Sequence, residues 1–310
     1  MIKGLFANRS AFFQMVLLFA MLLTGFFIGS LIAAFICLAT GNLTVNPMDQ
    51  SFMVLQSTQF IASCCTFLLP AVITAWLCSE RPGVFLYVGI FPESRLLGIV
   101  CLTTLLLSPT VSLTGYFNSQ MHLPESMAAI EEWMKATEEL ANTLIRQMVA
   151  TQGVWAFIVN LFVVAVVAGV TEELLFRGAL LRIVRKQIHN HHVAIWIVAI
   201  LFSAIHFQFY GFVPRLLLGA YLGYLIYLTN NIWVPVFAHF FHNAVAFIGM
   251  SNNSLKDNAI FAEEIAPGDI GWLSITAGIC LIAFFYGVRI IGRMGKQGVV
   301  SPGIEPESKV

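Results

Sequence analysis

Eight apolar runs divide this chain, and each must be buried in lipid or protein. They are Ala11–Leu38, Leu55–Leu77, Leu96–Tyr116, Phe157–Val184, Val193–Gln208, Pro214–Thr229, Ile232–Met250 and Gly271–Ile291. A helix crosses a bilayer with about 17–25 residues at 1.5 Å rise, and most of these runs qualify. Val193–Gln208 and Pro214–Thr229 are short and fit tilted partners in a bundle. Charged residues make up only 10% of the sequence, against 58% hydrophobic, whereas a soluble domain carries about 25% charged residues. That shortfall excludes a soluble enzyme, a disordered protein and a nucleic-acid binder. The expected class is an all-α polytopic membrane protein, a bundle of about eight transmembrane helices. The first run is far longer than the roughly 7–15-residue core of a signal peptide and ends at no clean cleavage site, so it reads as a retained span.

Charge placement orients the bundle. With the N-terminus inside, cytoplasmic segments hold Lys3, Arg9, Arg81, Arg95, Arg182, Arg185, Lys186, Arg289, Arg293, Lys296 and Lys309. The other side holds Lys135, Arg146, Arg215 and Lys256, and Arg177 lies within a span. This eleven-to-four bias fits the positive-inside rule for an even number of spans with both termini cytoplasmic. The expected location is the plasma (inner) membrane, with lipid as one partner.

Two segments are not spans. Residues 124–149 place Met127, Ile130, Met134, Leu140, Leu144 and Met148 on one helical face and five acids and two bases elsewhere, which predicts an amphipathic, acidic, extracytoplasmic helix. Residues 295–310 are polar and punctuated by Gly and Pro, and read as a disordered tail. The expected organisation is N-terminal membrane helices with the amphipathic helix over 1–150, a helical core over 153–250, a last span over 271–294, and the tail. Gly25/Gly29 and Gly219/Gly223 have the GxxxG spacing that lets helices approach closely. The six cysteines lie in apolar runs without metal-ligand spacing and read as small apolar fillers.

The stretch Ala168–Leu181 (AGVTEELLFRGALL) is where chemistry enters. It sets Glu172, Glu173 and Arg177 inside an apolar helix. An ion near the bilayer centre costs about 2.5–3.5 kcal/mol on the insertion scale, so these three must face a bundle interior or a wet cavity. Glu173 and Arg177 are i,i+4 in the favourable order and read as an ion pair. Glu172 projects about 100° away with no base one turn on, which leaves it for proton chemistry as a general base.

Two further helices bring histidines. Phe202 and His206 are one turn apart, and so are His239 and Asn243. Counted from the basic end at 1.5 Å per residue, Glu172 and His206 lie at about 20 Å, His239 at about 10 Å and Asn243 at about 16 Å. Three helices therefore deliver Glu, His, His and Asn to overlapping depths. His242 neighbours His239, and spacing alone does not separate them. His189, His191 and His192 sit in a polar turn beside Arg185 and Lys186 and read as a solvated interface.

Glu172-Glu173-x-x-x-Arg177, Phe202-x-x-x-His206 and His239-x-x-x-Asn243, in this order, resemble the signature of the CPBP family. That family comprises the type II CAAX prenyl endopeptidases with bacteriocin-processing and immunity-associated relatives, also called Abi. The resemblance covers about residues 153–250; the first 150 residues match only in being membrane helices. It implies an intramembrane endopeptidase of eight helices that opens toward the cytoplasm. On it, Glu172 activates the hydrolytic water with help from His206, His239 and Asn243 form the oxyanion site, and Glu173 with Arg177 orients the core.

The family has also been called metallopeptidase. A zinc held by His206, His239 and Glu172 would keep one position open for water, but a zinc-bound Glu172 could not be the free base, and Asn243 is a better oxyanion donor than ligand. The reading is therefore glutamate catalysis with no cofactor, and zinc is the alternative. The expected substrate is a membrane-associated, lipidated or leader peptide. The competing class is a non-proteolytic membrane protein, either an immunity or peptide-binding factor or a proton-coupled transporter. A transporter would more naturally show internal repeats, and here the intramembrane polar residues crowd into one half. A compact chain without targeting signals reads as prokaryotic.

Overall fold

The computed structural model describes residues 3–42, 50–151, 153–252, 254–255, 258, 260 and 265–298. Among them there is no strand, and the chain is an all-α polytopic membrane protein, as the apolar runs predict. In chain order the helices are α1 (Ala11–Ala39), α2 (Phe52–Cys78), the short α3 (Pro82–Phe85), α4 (Ser94–Ser119), α5 (Ala128–Ala150), α6 (Val154–Arg185), α7 (His191–Ala204), α8 (Phe212–Thr229), α9 (Trp233–Ser251) and α10 (Ile270–Gly298). Seven are long and apolar enough to cross a membrane, and α7 is a shorter apolar helix.

Two boundaries differ from the sequence reading. The run expected to continue to Gln208 ends as helix at Ala204, so His206 lies beyond the helix and not one turn along it. Phe207 adopts the left-handed conformation (φ 53°), which no α-helix accommodates, and the chain turns there. At the other end of the chain, α10 continues to Gly298, four residues into the expected tail; residues 299–310 lie outside the described residues.

Close helix approaches carry the bundle. At Gly25 a Cβ would fall 2.0 Å from the carbonyl oxygen of Cys65, so α1 lies against α2 backbone to backbone. At Gly223 a Cβ would meet Ile195 Cγ2 at 2.7 Å, and at Gly219 Phe202 Cδ1 at 3.1 Å. Both GxxxG pairs therefore sit at helix contacts. The main core joins α1, α2, α6, α7, α8 and α9, and a second joins α4, α8, α9 and α10. All six cysteines are free.

The basic segments gather at one end of the bundle. Lys186 Nζ donates to Gln14 Oε1 at 2.8 Å, Arg182 Nη1 to the Val84 carbonyl at 2.7 Å, and the Gly4 amide to the Trp76 carbonyl at 2.9 Å. The C-terminal turns of α10 and α8 meet at that end too, since a Cβ at Gly295 would strike the Leu228 carbonyl. At the opposite end lies the amphipathic α5, from which the chain turns through Gly153 (φ 107°) into α6.

Candidate active site

Helix α6 is not uniformly α. Phe162–Val167 and Leu174–Leu180 are π-helical, and the α segment between them, Ala168–Glu173, ends with the two adjacent glutamates. Such turns recur at functional sites. The carbonyl of Val164, in the first of them, accepts the Asn243 side-chain amide at 3.0 Å. Helix α9 can come this near because of Gly169: a Cβ there would crowd the Phe240 amide nitrogen at 3.1 Å and the Val236 carbonyl at 3.2 Å.

Glu173 and Arg177 are both fully buried, and Arg177 Nη1 donates to Glu173 Oε1 at 2.7 Å. Arg177 Nη2 donates to the Gly219 carbonyl at 2.9 Å, and its guanidinium lies over the Phe202 ring, 4.4 Å from the centroid. The same Glu173 Oε1 accepts from His239 Nδ1 at 2.8 Å. One carboxylate oxygen thus ties α6 to α9, and its partner arginine ties α6 to α8 and α7. Phe202 is the shared wall, with its ring edge-on to both His206 and His239.

Glu172 sits on the other face. Its Oε2 lies 3.9 Å from His206 Nε2 and 4.0 Å from His239 Nε2, and among the described residues no hydrogen bond reaches it. Partner chemistry assigns the imidazole protons. His206 Nδ1 is 2.7 Å from the Phe202 carbonyl and His239 Nδ1 faces a carboxylate, and both partners only accept. Each Nδ1 therefore carries hydrogen, and each ring turns its Nε2 toward Glu172. A carboxylate oxygen and two ring nitrogens converge there, an arrangement that a proton donor such as water or a cation can satisfy.

The loop after α7 is clamped from two sides. The Asn118 side chain of α4 donates to the Phe209 carbonyl at 2.9 Å and accepts from the Val213 amide at 2.7 Å. Glu138 of α5 accepts from the Tyr210 amide at 3.1 Å, and Trp133 packs on Phe209. Arg215, in the first turn of α8, donates to the Gln208 carbonyl at 3.0 Å and to its side-chain oxygen at 2.5 Å. Burial raises the Glu138 carboxyl above its ordinary value, against the lowering pull of the Tyr210 amide and Arg215.

Of the seven residues singled out in the sequence, Glu172, Glu173, Arg177, Phe202, His206 and His239 are joined by these contacts, and Asn243, one turn along α9 from His239, bonds the Val164 carbonyl of α6. Sequence reasoning missed the Glu173–His239 bond, which joins helices whose mutual rotation no spacing gives. It also missed the clamp of Asn118 and Glu138, whose polar side chains look like ordinary helix-end and surface residues. His242 makes none of these contacts. His191 stacks on Tyr227 and His192 bonds Tyr224 at the basic end, away from this cluster.

A tetrahedral zinc site with bonds of about 2.1 Å spaces its ligand atoms about 3.4 Å apart. The separations of 3.9 and 4.0 Å around Glu172 are wider. Among the described residues no three His, Cys, Asp or Glu side chains stand where they could hold a metal ion. The donor set as arranged does not fit zinc.

Residues 154–245 match the model of a family described as type II CAAX prenyl endopeptidase, Rce1-like. The resemblance drawn from the three motifs is borne out. The uncharacterized protein YpbD of Bacillus subtilis (strain 168) is 32% identical over 78 residues, which are 24% of this chain and 36% of that protein. The chain therefore spans about a third of the length of this curated relative. No solved structure matches.

Proposed function

We propose that this chain, which over residues 154–245 is Rce1-like and shares that family's proteolytic character, is an intramembrane endopeptidase in which Glu172 activates a water. One observation carries the reading: a buried carboxylate oxygen without a hydrogen-bond partner faces two imidazole nitrogens. A water about 2.8 Å from Glu172 Oε2 and from either imidazole nitrogen spans separations of 3.9–4.0 Å at close to a right angle. Its two protons satisfy two of the three acceptors, and its own lone pair is left for a peptide carbonyl.

As the water attacks, Glu172 takes one of its protons and later returns it to the leaving amine. His206, held at Nδ1 by the Phe202 carbonyl, orients the water. His239, fixed at Nδ1 by Glu173, shares the water's second proton at Nε2, and the second amide hydrogen of Asn243 serves the developing oxyanion. Glu173 and Arg177 fix His239 and Phe202 and take no part in bond breaking. Peptides at the membrane are the substrate class. The reading is tested with purified protein, a library of membrane-anchored peptides and Glu172→Gln. Cleavage by the parent chain and a fall of about 10²–10⁴-fold or more in the variant are expected. An undiminished rate in Glu172→Gln refutes the assignment.

A further inference from the structure

The site is closed toward one end of the bundle and less deeply buried toward the other. At the basic end, α3 and the residues after it fold inward as a plug. Leu86 lies against Gly178, where a Cβ would come within 3.0 Å of it. The Ile232 amide donates to the Tyr87 carbonyl at 2.9 Å and Arg182 to that of Val84. Above the plug, Leu175, Phe176, Ala179 and Val236 are packed in the core, so a peptide from this end meets a sealed apolar layer before Glu172.

Toward the other end exposure rises step by step. The side chains of His239, Glu172 and His206 are 4%, 13% and 27% exposed, and Phe207, next along the loop, is 53% exposed. That loop is the one roofed by α5 through Glu138 and Trp133 and bordered by Arg215.

We propose that the site opens at this end, that this end is extracytoplasmic, and that the substrate is a membrane-anchored peptide segment presented from the outer side. The geometry identifies the mouth as the end remote from the basic segments. The eleven-to-four distribution of Lys and Arg puts those segments in the cytoplasm. The family resemblance implies the reverse, an opening to the cytoplasm, and the two expectations cannot both hold for this chain. The retention of positive charge is a property of the whole sequence, and it decides. Glu172 stands 13 residues before Arg185, about 20 Å from the basic end of a core about 30 Å thick. The scissile bond then lies about 10 Å below the outer face, about three residues of extended chain.

The substrate clause rests on the peptidase reading; the orientation does not. Phe207→Cys at the mouth, Ser119→Cys at the same end of α4 and Arg185→Cys at the basic end would each be treated with a membrane-impermeant maleimide, with the parent chain as background. The expected result is labelling of the first two in intact cells and of Arg185→Cys only after permeabilisation. Ser119→Cys keeps the test decisive if Phe207→Cys fails to accumulate. A quenched, lipid-anchored peptide would then be added to right-side-out and inside-out vesicles, with Glu172→Gln as control. Cleavage in right-side-out vesicles is expected. Labelling of Arg185→Cys in intact cells, or cleavage confined to inside-out vesicles, overturns the proposal. Labelling as expected with no Glu172-dependent cleavage on either face overturns the peptidase reading and leaves the orientation standing.

Discussion

Glu173→Gln isolates the charge of the buried network with little else disturbed. In the structure both of its hydrogen bonds, from Arg177 and from His239, end on the same oxygen, Oε1. The other oxygen, Oε2, has no partner among the described residues. A glutamine placed with its carbonyl at Oε1 keeps both bonds and sets its amide at the unused position. What it loses is the countercharge of a fully buried guanidinium. Removing one member of a buried pair costs about 3–5 kcal/mol. The Gly219 carbonyl and the Phe202 face still solvate Arg177, so the lower end, about 3 kcal/mol, is expected. At about 2–4 °C per kcal/mol this is a fall of roughly 6–12 °C in Tm, read by thermal unfolding in detergent. Arg177→Met in the same chain should recover most of the loss, because no buried charge then remains. Glu172→Gln should leave Tm unchanged or higher, since its carboxylate has no cation to abandon. A Glu173→Gln variant as stable as the parent, or no recovery in the double variant, would refute the division of labour between the two glutamates.

Strong chelators should leave cleavage unchanged, and purified protein should carry no stoichiometric zinc by elemental analysis; activity lost to chelator and restored by zinc would make ligands of His206 and His239. Asn118→Ala removes that side chain's two hydrogen bonds to the loop behind His206, at about 1 kcal/mol each, and should lower kcat while leaving KM nearly unchanged in steady-state assays. The Glu131 carboxyl is held down at about 2 by Lys135, His122 and the Leu123 amide. Because the folded value is depressed, this stabilisation is complete above the ordinary carboxylate value and is lost as pH falls toward 2. A spin label at Ser126→Cys should therefore gain mobility between pH 5 and pH 2, and should already be mobile at pH 7 in Glu131→Gln.

Much of this architecture was written in patterns that act locally. Eight apolar runs announce eight helices, since lipid leaves the backbone no other option. The i,i+4 pairing of Glu173 with Arg177 follows from helical geometry alone. Glu172 was singled out because it had no base one turn away, and in the structure its free oxygen faces imidazoles from α9 and from the turn after α7. What could not be read depends on rotation and on chain reversal. Phe202-x-x-x-His206 looks like one helical turn, yet the left-handed Phe207 ends the helix before His206. That turn, and not helical phase, aims the imidazole. The bond between Glu173 and His239 depends on how α6 and α9 roll against each other, which Gly169 permits but does not advertise. Asn118 and Glu138 lie far from the motifs in sequence and reach the loop only through the fold.

The π-helical turns in α6 hold one residue more than an α-helix of the same height would need. They behave as stored slack in a helix that is otherwise wound tight. Shortening the chain by one residue between Gly178 and Leu180 would let that stretch rewind as α-helix over the same height. Arg182 would then keep the Val84 carbonyl, and Glu172, Glu173 and Arg177 would keep their places. A related sequence one residue shorter at this point need not have lost its chemistry or its anchorage at the basic end.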